Sequence, residues 1–123
     1  MLALSAGCTR ASPTALEQSH ASLKLASGTE IGVATLSGTS IATTRAHVEL
    51  TDAAPTGEWN ATLRDGDCSE PGDLVHPIGV VEGTALDAIV DAPLRDLEGL
   101  IVALAPLGEE QAIACGVVEG SVR

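Results

Sequence analysis

The sequence predicts an all-β protein, an antiparallel sandwich or barrel of roughly seven or eight short strands. Two observations carry that prediction. From Ala21 onward apolar and polar residues alternate with a period of two, the signature of half-buried strands. Clusters of Gly, Pro, Asp and Ser cut the alternation into short runs, as turns between neighbouring strands require. The chain carries neither a heptad nor an internal repeat.

Taken in order, Leu23 and Leu25 alternate with Ser22 and Lys24 and stop at the turn Ser27-Gly28-Thr29. Ile31, Val33 and Thr35 then share one face up to Ser37-Gly38. The clearest strand covers residues 44–51, with Ala46, Val48 and Leu50 on one side and Arg45, His47, Glu49 and Thr51 on the other. After the Pro55-containing loop from Asp52 to Gly57, Trp59, Ala61 and Leu63 face the core, and Glu58, Asn60, Thr62 and Arg64 face away. Trp59 is the single aromatic residue and reads as the core's one large filler. Residues 65–73 (DGDCSEPGD) read as an acidic, turn-rich loop. Apolar pieces follow at 78–81, 86–92, 99–105 and 112–118, with one helical turn expected at Leu94–Glu98.

Composition narrows the function. A chain of 123 residues forms one domain, and 17 acidic against 6 basic residues give a formal charge of −11. Nucleic acids draw their affinity from Lys and Arg on phosphate, so this balance excludes them as partners and argues equally against an anionic membrane surface. Aromatic content of 1% removes stacking platforms for bases. A hydrophobic fraction of 45% is too high for a disordered chain.

The first residues bear on compartment. Leu4-Ser-Ala-Gly-Cys8 closes a short apolar run with small residues before a cysteine and resembles the end of a bacterial lipoprotein signal. The expectation is that residues 1–8 are the remnant of such a signal and that Cys8 is the acylated residue. Membrane association then runs only through that anchor. Residues 9–20 form a flexible spacer, 21–118 the domain and 119–123 a tail. The protein is accordingly expected on the extracytoplasmic side of a bacterial envelope, or secreted. With Cys8 set aside, Cys68 and Cys115 remain as an even pair. Their number suits an oxidising compartment but leaves open whether they form a bridge or stay free thiols. A bridge between them would close a loop of about 50 residues and contribute roughly 4 kcal/mol.

Four segments share an order and spacing with a known family: Ala61-Thr-Leu-Arg-Asp-Gly-Asp-Cys68, Val75-His-Pro-Ile-Gly-Val-Val-Glu-Gly83, Leu94-Arg-Asp-Leu-Glu-Gly99 and Ala114-Cys115-Gly-Val-Val118. Together they resemble the Cu,Zn superoxide dismutase-like sandwich, in its small secreted bacterial branch close to chordin-type domains. The resemblance spans roughly residues 40–118. It implies an immunoglobulin-type Greek-key sandwich and a Cys68–Cys115 bridge, because the corresponding cysteines of the dismutases are bonded.

The resemblance also locates a loss. The family's His-x-His pair falls on Thr62 and Arg64. Thr is a poor copper ligand and Arg a permanent cation. The later strand that usually supplies another histidine reads Leu100-Ile-Val-Ala-Leu-Ala-Pro106, and the anion-guiding Arg before the last cysteine is replaced by Ala112. Three histidines in the chain, His20, His47 and His76, are too few for a two-metal site. The expectation is a retained scaffold without its catalyst or cofactor, a non-catalytic binding or structural module. The alternative is a copper/zinc protein with dismutase-type activity or a metal-carrier role.

Weaker candidates complete the reading. His47 and Glu49 share a strand face, a spacing that can serve a metal; the plainer expectation is a solvated face with cross-strand partners such as Arg64 or Glu58. His76, before Pro77, reads as a packing or edge residue rather than a ligand. Asp65, Asp67, Glu70 and Asp73 crowd one loop and suit a hard cation such as calcium, although Asp-Gly pairs are ordinary turn chemistry. The Ser/Thr-rich stretch at 37–44 has no nucleophile elbow, which excludes a hydrolase of that type.

Overall fold

The computed structural model describes residues 18–109 and 111–119. Eight strands form one antiparallel sheet: β1 (Gln18–Leu25), β2 (Glu30–Gly38), β3 (Thr44–Leu50), β4 (Trp59–Asp67), β5 (Glu70–Val81), β6 (Ala85–Val90), β7 (Ile101–Pro106) and β8 (Ala114–Val117). The expected helical turn is present as α1 (Leu94–Leu97), between β6 and β7. Strand order in space is β5-β4-β7-β8-β1-β2-β3-β6. The two end strands, β5 and β6, follow one another in sequence, and a bridge from Glu82 to Ala85 draws them together. The sheet is therefore nearly closed into a barrel or flattened sandwich. Strands β4, β5 and β6 run consecutively while β7 returns beside β4, the Greek-key arrangement.

Alternation explains which residues close the core. On β3, Thr44, Ala46, Val48 and Leu50 are buried, while Arg45 and Glu49 are exposed. On β4, Trp59, Ala61 and Leu63 turn inward as expected. Leu23, Leu36, Val81, Leu97 and Leu104 meet them, all fully enclosed. Each such side chain contributes about 1.5–3 kcal/mol by leaving water. At the buried end of β3, the Thr44 hydroxyl donates to the Ala92 carbonyl at 2.8 Å, pinning the approach to α1.

The structure corrects three expectations. Gln18, Ser19 and His20 belong to β1, paired with Ser37, Leu36 and Thr35, so the domain starts inside the expected spacer; Cys8 and residues 9–17 lie outside the described residues. At the other end, the Glu119 amide still donates to the His20 carbonyl at 3.1 Å.

The second correction concerns β2. The pattern puts Ile31, Val33 and Thr35 on one face, but Ile31 is enclosed together with Ala34 and Leu36, while Val33 and Thr35 are only half-buried. Leu23 pairs with Gly32 and Lys24 with Glu30, leaving Ile31 as the extra residue of a bulge. One unpaired residue inverts the inward phase of everything after it, and uniform alternation cannot anticipate that.

The third correction concerns residues 65–73, which are a tight hairpin rather than a loop. Gly66 pairs with Pro71 and Asp67 with Glu70, so only Cys68 and Ser69 make the turn. Gly66 sits at φ 88°, and a Cβ there would press on the Glu70 carbonyl at 2.6 Å. A left-handed residue with backbone that close admits glycine alone.

Candidate functional site

Thr62 and Arg64, the pair that the sequence resemblance sets against a His-x-His, lie on one strand and one face. Thr62 and Arg64 are two residues apart on β4 and point away from the core. The Arg64 Nε donates to the Thr62 hydroxyl at 3.2 Å, and Nη1 donates to the Gly72 carbonyl of β5 at 3.2 Å. The guanidinium thus spans from the Thr62 hydroxyl to the backbone of the neighbouring strand. Across from it on β7, Ala105 stands opposite Asn60 and Ala103 opposite Thr62. Ile101 stands opposite Arg64 itself; beside the two alanines, which carry nothing beyond Cβ, a trough of about 350 Å³ opens, which Glu109 and Ala112 also line.

The second candidate group sits on the outward face of β3 and β6. His47 Nδ1 is 3.0 Å from the Asp87 carboxylate, and its Nε2 is 4.0 Å from Glu49. Arg45 Nε donates to the same Asp87 oxygen at 3.2 Å. The partner of His47 is therefore Asp87, directly opposite in register on β6, and not the expected Arg64 or Glu58, which belong to the β4 side. Strand order decides this, since β3 pairs with β2 and β6 only. Hydrogen bonds from His47 first, and then Arg45, hold the Asp87 carboxyl below the usual carboxylate range. Asp87 escapes sequence reasoning because it interrupts an apolar run; its alternation with Leu86 and Ala88 is the one signal that it faces out.

The remaining candidates do not converge. His76 is half-buried on β5 opposite Leu63. The four acidic residues of the hairpin are distributed over both its strands, Asp65 and Asp67 on β4, Glu70 and Asp73 on β5. Asp67 accepts from the Ser69 hydroxyl at 2.7 Å and from the Glu70 amide at 2.8 Å. These two bonds lower its carboxyl from the ordinary value, Ser69 contributing most. They make Asp67 the brace of the turn. Among the described residues no three His, Cys, Asp or Glu side chains gather as a metal site would need.

Cys68 and Cys115 are bonded, with Cα atoms 5.7 Å apart. The bridge ties the tip of the β4–β5 hairpin to β8. An open depression of about 810 Å³ surrounds it, with Lys24, Pro71 and Ile113 among its walls. No helix among the described residues is long and apolar enough to cross a membrane. No family model matches the chain, and no curated protein is similar to it.

Proposed function

We propose that the chain is a non-catalytic binding or structural module with a superoxide dismutase-like scaffold, working on the extracytoplasmic side of a bacterial envelope or in secreted form. Arg64 carries this reading. A permanently charged guanidinium laid across Thr62 repels a cation at the point where the dismutase-type pair would hold copper. Strand order and the Cys68–Cys115 bridge support the scaffold part of the proposal, and the bridge suits an oxidising compartment. Anchoring through acylated Cys8 belongs to the same proposal and rests on the Leu4–Cys8 pattern alone.

Metal reconstitution tests it directly. The full chain, incubated with excess Cu(II) and Zn(II) and then desalted, is expected to retain neither metal stoichiometrically. Its dismutation of superoxide should not exceed that of a metal-free control protein. Stoichiometric copper with fast dismutation would overturn the reading in favour of an enzyme. Retained metal without activity would favour a carrier.

A further inference from the structure

The trough over β4 and β7 is polar at both ends and floored by alanine. Asn60, Thr62 and Arg64 rise from alternate positions of β4, a row spanning about 13 Å at the usual strand rise. Ala103 and Ala105, in register beside them, leave the floor bare. In a chain with 17 acidic residues, the half-buried Arg64 has no carboxylate within ion-pair distance among the described residues. Two of its donors are spent on Thr62 and Gly72, and a guanidinium has five. Thr62 accepts from Arg64, which leaves its own hydroxyl proton to give. At the other end Glu109, whose amide donates to the Pro106 carbonyl at 2.9 Å in the turn after β7, also lines the space and is the one acidic residue among the described ones that does.

We propose that this trough binds a small zwitterion of about dipeptide size, its carboxylate on Arg64 and Thr62 and its ammonium toward Glu109. The assignment rests on the non-catalytic reading of the same site, because a copper ion there would need the guanidinium gone. A guanidinium with free N–H groups and an adjacent hydroxyl recognise a carboxylate's two oxygens. Glu109 and the formal charge of −11 work against a ligand that is only anionic. The volume of about 350 Å³ falls at the small end of ordinary ligand sites.

The test is an amide-resolved NMR titration of the full chain with glycylglycine, beside N-acetylglycine, which keeps the carboxylate and lacks the ammonium. Saturable shifts at Asn60, Thr62, Ala103 and Ala105 are expected with glycylglycine, and weaker binding with N-acetylglycine. Arg64→Gln should weaken glycylglycine by roughly tenfold to a hundredfold. Glu109→Gln should erase the preference between the two probes. Ala105→Leu fills the floor and should abolish binding, which keeps a test in hand if Arg64→Gln misfolds. No saturable shift, or equal affinity in wild type and Arg64→Gln, would overturn the proposal; equal affinity for both probes in wild type would overturn the role of Glu109. Absent binding together with absent copper removes this inference alone, whereas stoichiometric copper removes the reading beneath it.

Discussion

The outward faces of β3–β6 and β4–β7 are built on the same register logic and end up chemically opposite. On the first, Arg45 and His47 of β3 stand beside Asp87 of β6, and the charges find each other across the strands. Arg45 and Asp87 are about half exposed there, with side-chain exposures of 58% and 49%, so water screens the pair and little stability follows from it. On the second, β7 presents Ala103 and Ala105 where β6 presents Asp87. With Ile101 and no carboxylate opposite it, Arg64 folds along its own strand onto Thr62, which is only 6% exposed. Two facing strands with charged residues give a satisfied surface. Replacing one of them by alanines gives a concave surface with donors left over. The difference lies in the partner strand, not in the arginine.

A covalent tie adds to the contrast. The β4 side is fastened through Cys68 and Cys115, and the strands β3 and β6 have no such link. Removing the bridge by Cys68→Ser with Cys115→Ser should give the largest effect, a loss of about 4 kcal/mol for a closed loop of 47 residues. Urea unfolding followed by the fluorescence of Trp59 measures it. Hydrogen exchange should show the β4–β5 hairpin and β8 losing protection before β3. Uniform loss of protection would mean that the bridge does not distinguish the two sides.

Much of this was legible in the residues, and the failures have local causes. The alternation Ala46-Val48-Leu50 and Trp59-Ala61-Leu63 placed the two best strands and their inward faces correctly. The single turn at α1 falls where Leu94–Glu98 was expected to hold one, with Leu94 and Leu97, three residues apart, both buried. The bulge at Ile31 was not legible, because it depends on pairing with β1 and not on β2's own composition. Likewise DGDCSEPGD has the composition of a loop, yet Gly66 and the Asp67 brace let it pair nearly to its tip. The same limit applies to the site. Thr62 and Arg64 were readable as a same-face pair. The trough was not, since Ala103 and Ala105 acquire meaning only once β7 is known to lie beside β4.

A paired substitution sharpens the comparison at intermediate size. Thr62→Val keeps the shape and removes the acceptor for Arg64 Nε, in a place nearly closed to water. A loss of about 1–2 kcal/mol is expected, at the lower part of the range for bonds to charged groups because Arg64 itself is only half-buried. Arg45→Ala on the other face removes an ion pair and should cost less than about 0.5 kcal/mol. Urea midpoints for the two variants decide the matter, and equal losses would erase the distinction between a braced and a screened arginine.

The smallest expected effect concerns acid. Asp87 has its carboxyl held below the ordinary value by His47 and Arg45, so its contribution is fully present above the unfolded value of about 3.9 and is lost as pH falls through the lower folded value. Asp67 obeys the same sign, but its donors are the Ser69 hydroxyl and the Glu70 amide, neither of which carries charge. Salt separates them. Screening weakens the contribution of Arg45 to Asp87, while short uncharged hydrogen bonds at Asp67 respond much less. In urea melts taken from neutral pH down through the carboxylate range, Asp87→Asn and Asp67→Asn should each be less stable than wild type near neutrality and converge with it in acid. Added salt should shrink the gap for Asp87→Asn and leave the gap for Asp67→Asn nearly unchanged. A gap that stayed constant across pH would show that these carboxylates act by shape alone, and one that shrank equally with salt would place both braces in the same electrostatic class.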